Sequence, residues 1–412
     1  MEGELVAPQK QIKILKSPKS PAGSSRDMLS VSSRVRKSVT CAAKKLRKKA
    51  RVSREQRELM QLLQSRFAQF PSDEDVLKLR RTAKWLVRPG LGILAADDSV
   101  YQTDATLKSF ELSASFQNRR KLYDVFLGSQ LELDTCLSGV LLREDTVFYT
   151  WHGGKKLTRL IQEHKLKLGF RLDKGVVHLP GTSGEYGTWG LDTLEDTCKR
   201  IKEKGAEFAL WRCVYRITPT TPSRQAILEN STTLALFAMI CQTYGLVPIV
   251  SAEVLQQGDH DGEEARQSMR EILVGLVKAL QDHHVLLEGT LVRVTAAAPG
   301  CCYKGCQDTG QVAANTIKTL NECLPPAIGG VFLAREHNLA RSLTLLNDIQ
   351  NCKIKKAFSI SFCFSRVIQS DAVSTWAGQD KNLDRARTQL MTRLQVRYIH
   401  ADEEAPGKIH TC

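Results

Sequence analysis

No stretch of the 412-residue chain approaches the roughly 18 to 20 consecutive apolar residues that a membrane-spanning helix needs. Its first residues, Met1-Glu2-Gly3-Glu4, lack the apolar core of a secretory leader. A membrane-spanning chain and an exported one are therefore set aside, and no membrane partner is expected. Nor does any CxxC pair occur among the 12 cysteines, which are scattered from Cys41 to Cys412. The densest group, Cys301, Cys302 and Cys306, has no histidines beside it at zinc-ligand spacing. Neither a metal nor a cofactor is expected, and free thiols in a reducing compartment, the cytoplasm, are the better reading. Acidic residues are scarce in one region only: residues 1–54 hold three of them against 15 Lys and Arg, an excess of 12 out of the net +15 of the whole chain. What remains is an ordinary globular composition, 42% apolar and 25% charged, with enough material for one large domain or two smaller ones.

Residues 1–52 read as a basic arm that is largely disordered when free, because Ser, Pro and Lys crowd out any sustained apolar periodicity. Two Lys-Ser-Pro steps place Ser17 and Ser20 as candidates for proline-directed phosphorylation, which would cancel nearby positive charge. Arg34, Arg36 and Lys37, then Lys44, Lys45, Arg47, Lys48, Lys49 and Arg51, form two clusters suited to an acidic polymer or to a nuclear address. Ser53 with Gln56 makes a capping box ahead of Leu59, Leu62, Leu63, Phe67 and Phe70, so an amphipathic linker helix is expected over 53–70. Ser72 with Asp75 opens another helix, which must stop before Pro89-Gly90.

Beyond Gly92, short apolar runs at 92–97, 137–142, 167–173, 207–215, 246–252, 285–294, 329–334 and 357–362 alternate with amphipathic stretches. Eight strand-helix units in roughly 310 residues suit an α/β fold with a single parallel (β/α)8 TIM barrel over 71–400, followed by a short tail at 401–412. In such a barrel, polar residues at the C-terminal strand ends are the candidates for chemistry.

At those strand ends stand Gly92-Ile93-Leu94-Ala95-Ala96-Asp97, Asp173-Lys174-Gly175-Val176-Val177, Trp211-Arg212-Cys213-Val214, Pro248-Ile249-Val250, Gly258-Asp259-His260-Asp261 and, after His283-His284, Leu287-Glu288-Gly289-Thr290-Leu291. In order and content, from about Pro71 to about Tyr398, this series resembles the class I fructose-bisphosphate aldolases, lyases of glycolysis. The resemblance implies the barrel, a homotetramer, and cleavage of fructose 1,6-bisphosphate through a lysine Schiff base.

The resemblance breaks at the residues that carry that chemistry. The position of the Schiff-base lysine, directly after Glu-Gly-Thr-Leu-Val, is Arg293, and a guanidinium cannot be deprotonated to attack a ketone near neutral pH. A second family lysine is replaced by Arg171, the lysine before Trp-Arg-Cys by Leu210, and the acid–base glutamate after Pro-Ile-Val by Ser251, whose hydroxyl does not titrate near pH 7. The Ser-Gly-Gly turn that holds a substrate phosphate in the family is Ala334-Arg335-Glu336 here, a Lys-Arg pair is Ala105-Thr106, and the family's C-terminal tyrosine has no counterpart in Gly407-Lys408-Ile409-His410-Thr411-Cys412. Asp97, Asp173, Arg212, Glu253 and Arg366 are retained. Two roles are open to the retained set: a buried polar network, or an anion site in which Arg171, Arg212, Arg293 and Arg366 hold a sugar phosphate or other anion in the barrel mouth. The histidines His260, His283 and His284 read as hydrogen-bonding residues rather than metal ligands.

The expectation is thus an aldolase-family protein without catalytic turnover, a scaffold or binding protein whose residues 1–54 attach it to an acidic partner, with a microtubule or actin filament ahead of nucleic acid. The alternatives are an active aldolase of reduced activity and a nuclear or nucleic-acid-associated protein acting through residues 34–51.

Overall fold

The computed structural model describes residues 71–128, 131–148, 156–305, 308–334, 339–364 and 366–395, together with Arg54 and Gln56. The basic arm, the linker helix apart from those two helical residues, and the 401–412 tail lie outside the described residues. Residues from Phe70 onward form a compact unit of their own.

The barrel is entered through helix α1 (Asp73–Leu86), which starts where the sequence signals it: the Ser72 hydroxyl accepts a hydrogen bond from the Asp75 amide at 3.2 Å, and Asp73, Glu74 and Asp75 occupy the positive end of the helix. The chain leaves the helix at Val87 and turns through Pro89-Gly90, where Gly90 adopts a φ of 76°. Leu79, Ala83 and Leu86 face inward and close the N-terminal end of the barrel.

Ten strands follow: β1 (Gly92–Ala96), β2 (Leu137–Arg143), β3 (Lys167–Arg171), β4 (Val176–His178), β5 (Tyr186–Thr188), β6 (Phe208–Tyr215), β7 (Val247–Val254), β8 (Leu291–Val294), β9 (Gly330–Leu333) and β10 (Ile360–Phe364). Eight of them close a parallel barrel in the order β1-β2-β3-β6-β7-β8-β9-β10 and back to β1, which is the expected (β/α)8 architecture. The remaining two, β4 and β5, pair with each other as an antiparallel ribbon outside the barrel. No sequence period marks that ribbon, since each strand has only three residues, and Val176 and Val177 lie about half exposed.

The strand expected over 285–294 is much shorter. Residues Leu287–Gly289 form a turn of 3-10 helix and the strand begins only at Leu291. Its apolar residues are held there by a side chain from another element: the Gln242 amide group donates to the Leu286 carbonyl (2.8 Å) and to Thr290 Oγ1 (3.0 Å), and its oxygen accepts from the Leu286 amide (2.9 Å). His283, expected on the approach to that strand, instead caps a helix, and His284 sits in a left-handed turn with φ 56°.

The helices packed outside include α2 (Val100–Lys108), α3 (Phe116–Leu127), α4 (Leu157–Glu163), α5 (Leu194–Glu203), α6 (Arg224–Thr243), α7 (Gly262–Asp282), α8 (Thr309–Cys323), α9 (Leu339–Asn351), α10 (Arg366–Trp376) and α11 (Leu383–Gln395). Alternation along each strand divides the apolar residues into two cores. Ile93, Ala95, Leu141, Phe208, Ile249 and Phe332 fill the barrel, while Leu94, Val140, Phe170, Trp211, Val250 and Val292 pack against the helices. Glycine makes room for large rings near the barrel floor: a Cβ at Gly92 would fall 1.9 Å from the Phe362 ring and one at Gly169 2.2 Å from that of Phe208.

Candidate active site

The strand register decides which polar side chains meet at the C-terminal end of the barrel. Arg171 on β3 lies beside Leu210 on β6, and Arg212, two residues on, is level with Ser251 on β7, which is level with Arg293 on β8. Because side chains alternate, Leu210, Arg212, Ser251, Glu253 and Arg293 all face the interior. Together with Asp97 and Asp98 beyond β1, most of these residues line a polar cleft of about 280 Å³.

Two of the arginines are already occupied. Arg171 grips Asp173 through two parallel bonds, Nε to Oδ2 and Nη2 to Oδ1, each 2.8 Å, and its Nη1 lies 3.6 Å from Asp97 Oδ2. Arg293, only 8% exposed, donates through Nη1 to Glu253 Oε1 and to the Ser251 hydroxyl (3.1 Å), and the Ser251 hydroxyl donates to the same carboxylate at 2.8 Å. Its Nη2 reaches the Cys363 carbonyl at 3.4 Å. The guanidinium of Arg212 has neither a hydrogen bond nor an ion pair among the described residues, although the Arg212 backbone amide donates to Asp173 Oδ2 at 3.2 Å. It is the arginine of the cleft best placed to receive a ligand. Arg366 opens α10, but its side chain lies outside the described residues, as do Arg335 and Glu336.

The electrostatics follow from this pairing. Burial opposes ionisation of Glu253, but the charge of Arg293, then that of Arg212, the Ser251 hydrogen bond and Arg171 outweigh it and hold the carboxyl below its usual range. Burial likewise opposes charging of Arg293, and Glu253 overcomes it, so this guanidinium keeps its proton more firmly than a free one. Arg171 is held charged in the same way by Asp173 and then Asp97, against burial. The Cys363 thiol beside the cluster is pushed up to about 12 by burial. With three arginines facing Asp97, Asp98 and Glu253, the charges along the cleft balance formally.

Leu210 is 1% exposed and supplies only apolar surface. The family positions Asp97 and Glu253 line the cleft, while Ser251 is buried against Glu253 and Arg293, and Asp173 is buried as the partner of Arg171. Sequence reasoning missed Asp98, Gln102, Gln256 and Thr295, which also line it. For Asp98 a signal existed, since it directly follows Asp97 at a strand end; Gln102 and Gln256 come from a helix and a loop whose direction only the fold sets. Of the histidines, His260 is buried below Gly300, and burial depresses its proton affinity.

This geometry has close relatives. Residues 78–406 match the family profile of class I fructose-bisphosphate aldolase. The chain is 36% identical over 350 residues to fructose-bisphosphate aldolase C-A of Danio rerio, covering 84% of this chain and 94% of that one. It is 37% identical over 343 residues to the fructose-bisphosphate aldolase of Dictyostelium discoideum, covering 80% and 94%. Among solved structures, the aldolase of Plasmodium falciparum, in complex with TRAP and a small-molecule inhibitor, superposes with a TM-score of 0.78 at 31% identity, covering 82% of this chain and 98% of that one. A closed eight-stranded barrel with this ordered set of strand ends and these matches along most of its length has one placement: the chain belongs to the class I fructose-bisphosphate aldolase family.

Proposed function

We propose that this aldolase-family protein has lost cleavage of fructose 1,6-bisphosphate and serves as a binding or scaffold protein, its barrel mouth holding a sugar phosphate or other anion and its residues 1–54 attaching it to an acidic polymer. One observation carries the loss of catalysis. At the strand position where the resemblance calls for a nucleophilic lysine, Arg293 is buried, protonated and tied to Glu253 and Ser251. Schiff-base chemistry needs an amine that gives up its proton and attacks a ketone carbon, and then an acid–base group to move protons at the substrate. Here the guanidinium lone pairs are delocalised, Leu210 has no titratable group, and the Ser251 hydroxyl is spent on Glu253.

The remaining function of the cleft is recognition. Arg212, whose guanidinium is uncommitted among the described residues, offers a planar fork to a phosphate or carboxylate, while Arg171 and Arg293 keep the surrounding carboxylates from repelling it. Exposed Leu228 on α6 and Val274 on α7 support self-association into the homotetramer that the family resemblance implies, since α6 and α7 pack side by side where Gly275 lets Ile227 approach. The charge of residues 1–54 supports attachment to an acidic polymer, and the polymer we propose is a microtubule or actin filament in the cytoplasm. The relatives' names favour the rival, an active aldolase.

Purified protein should neither cleave fructose 1,6-bisphosphate nor be trapped covalently by borohydride in its presence. Substrate-dependent trapping, located by peptide mass mapping, would overturn the proposal.

A further inference from the structure

Helix α1 turns one side into the barrel and leaves another unused. Leu77, Arg81 and Lys84 follow one another at intervals of four and three residues as a stripe along one face of the helix, Arg88 lies two residues past its end at Leu86, and all four are exposed. The other cations of the helix are neutralised: Lys78 pairs with Glu74 at 2.9 Å and Arg80 with Glu288 at 2.7 Å. Arg81, Lys84 and Arg88 have no ion pair among the described residues. The helix dipole accounts for a cation in the last turn, but Arg81 lies beyond its reach. The stripe is also partly rigid, because the Arg88 guanidinium carbon stands 3.5 Å from the centre of the Trp85 ring, with Lys167 Nζ 5.5 Å from the same ring. A stacked guanidinium has little rotamer freedom left to lose when it forms a bidentate bond to a carboxylate.

We infer that this stripe is a docking surface for an acidic peptide segment of a protein partner, whose Asp and Glu side chains pair with Arg81, Lys84 and Arg88 while an apolar residue rests on Leu77. The argument is charge complementarity: two cations without an ion pair among the described residues stand on one face of α1, and a third, Arg88, stacks on Trp85 just past its end. The inference rests on the attachment reading for the class of partner and adds a second contact on the barrel unit itself. Since α1 closes the N-terminal end of the barrel and the cleft opens at the C-terminal end, docking there leaves the cleft unobstructed.

The test uses the full chain and a fluorescent twenty-residue poly-glutamate peptide, followed by anisotropy across a salt series. Three charge variants and Trp85→Leu are compared with the parent; the charge variants are Arg81→Gln with Lys84→Gln and Arg88→Gln; six arm substitutions, Lys44, Lys45, Arg47, Lys48, Lys49 and Arg51 to Gln; and a control, Lys318→Gln with Lys381→Gln and Arg385→Gln, which removes the same charge from α8, α11 and the turn before α11. The α1 variant should bind about tenfold more weakly, a fold-change in keeping with three modest surface ion pairs, and the control less than about twofold. Trp85→Leu, which changes no charge, should weaken binding about two- to threefold by freeing Arg88. If the α1 variant binds like the control, the stripe is only a solvated face and the inference fails. Loss of binding in the arm variant alone would uphold the attachment reading and overturn this one. Loss in the α1 variant alone would do the reverse.

Discussion

Replacing Arg293 with methionine leaves a side chain of comparable length in the same buried slot but removes the charge that Glu253 faces. The two side chains are 10% and 13% exposed, so the carboxylate left behind is reached by water only in part, from the cleft that Glu253 lines. Breaking such a pair from one side costs about 3 to 5 kcal/mol. Arg212 and Arg171 still act on Glu253, which places the expected loss near the lower end, about 3 kcal/mol, or roughly a hundredfold in the unfolding equilibrium.

The pH dependence fixes the cause. In the parent, Glu253 ionises more readily folded than unfolded, so its contribution is present above the unfolded carboxyl value of about 4.3 and is lost as pH falls through the lower folded value. In the variant, burial acts without Arg293 and lifts the folded value above the unfolded one. The penalty is then full at pH 7.5 and relaxes as Glu253 takes up a proton. Denaturant melts of Arg293→Met and the parent should differ by about 3 kcal/mol at pH 7.5 and by about half of that or less at pH 5. Adding Glu253→Leu should recover most of the loss, because an apolar pair in place of a buried ion pair is often neutral or better. A deficit unchanged between the two pH values, or one below about 1 kcal/mol, would refute the claim that the pair neutralises a buried charge.

Arg293→Lys alone should restore neither cleavage nor borohydride trapping, because an ammonium facing Glu253 stays protonated when a nucleophile must be neutral; recovered trapping would contradict this. Citrate or a sugar bisphosphate at millimolar concentration should raise the melting temperature of the parent, and Arg212→Ala should abolish the shift, while Arg366→Ala should reduce it. Attachment through residues 1–54 should weaken steeply with salt, since screening shortens from about 10 Å at 0.1 M to about 3 Å at 1 M. Aspartate at Ser17 and Ser20 should weaken it modestly in co-sedimentation with microtubules or actin filaments. Gln242→Leu should cost about 1 to 3 kcal/mol in a denaturant melt, because it strands the buried Leu286 amide, while the Leu286 carbonyl keeps the Thr290 hydroxyl and the Gly289 amide as donors.

Local signals in the chain were enough for the barrel. Ser72 with Asp75 set the start of α1 and Pro89-Gly90 its end, and eight apolar runs bounded by turn residues gave eight strands, because both features depend on neighbours within a few positions. The identities of Arg293, Ser251, Leu210 and Arg171, and the chemistry each excludes, were likewise written in the sequence, since what a guanidinium or an alkyl chain can do needs no coordinates. The fold alone decided which of these residues meet. Sequence order separates Arg293 from Glu253 by 40 residues and Arg212 from Asp173 by 39, and only barrel register brings them within bonding distance. It also decided that Arg171 and Arg293 are spent on carboxylates while Arg212 has no such partner among the described residues, and that residues 285–290 turn where an apolar run suggested a strand. Pairing and register are long-range properties, set by which backbone groups and charges compete for one another once the barrel closes, and no window of sequence contains that competition.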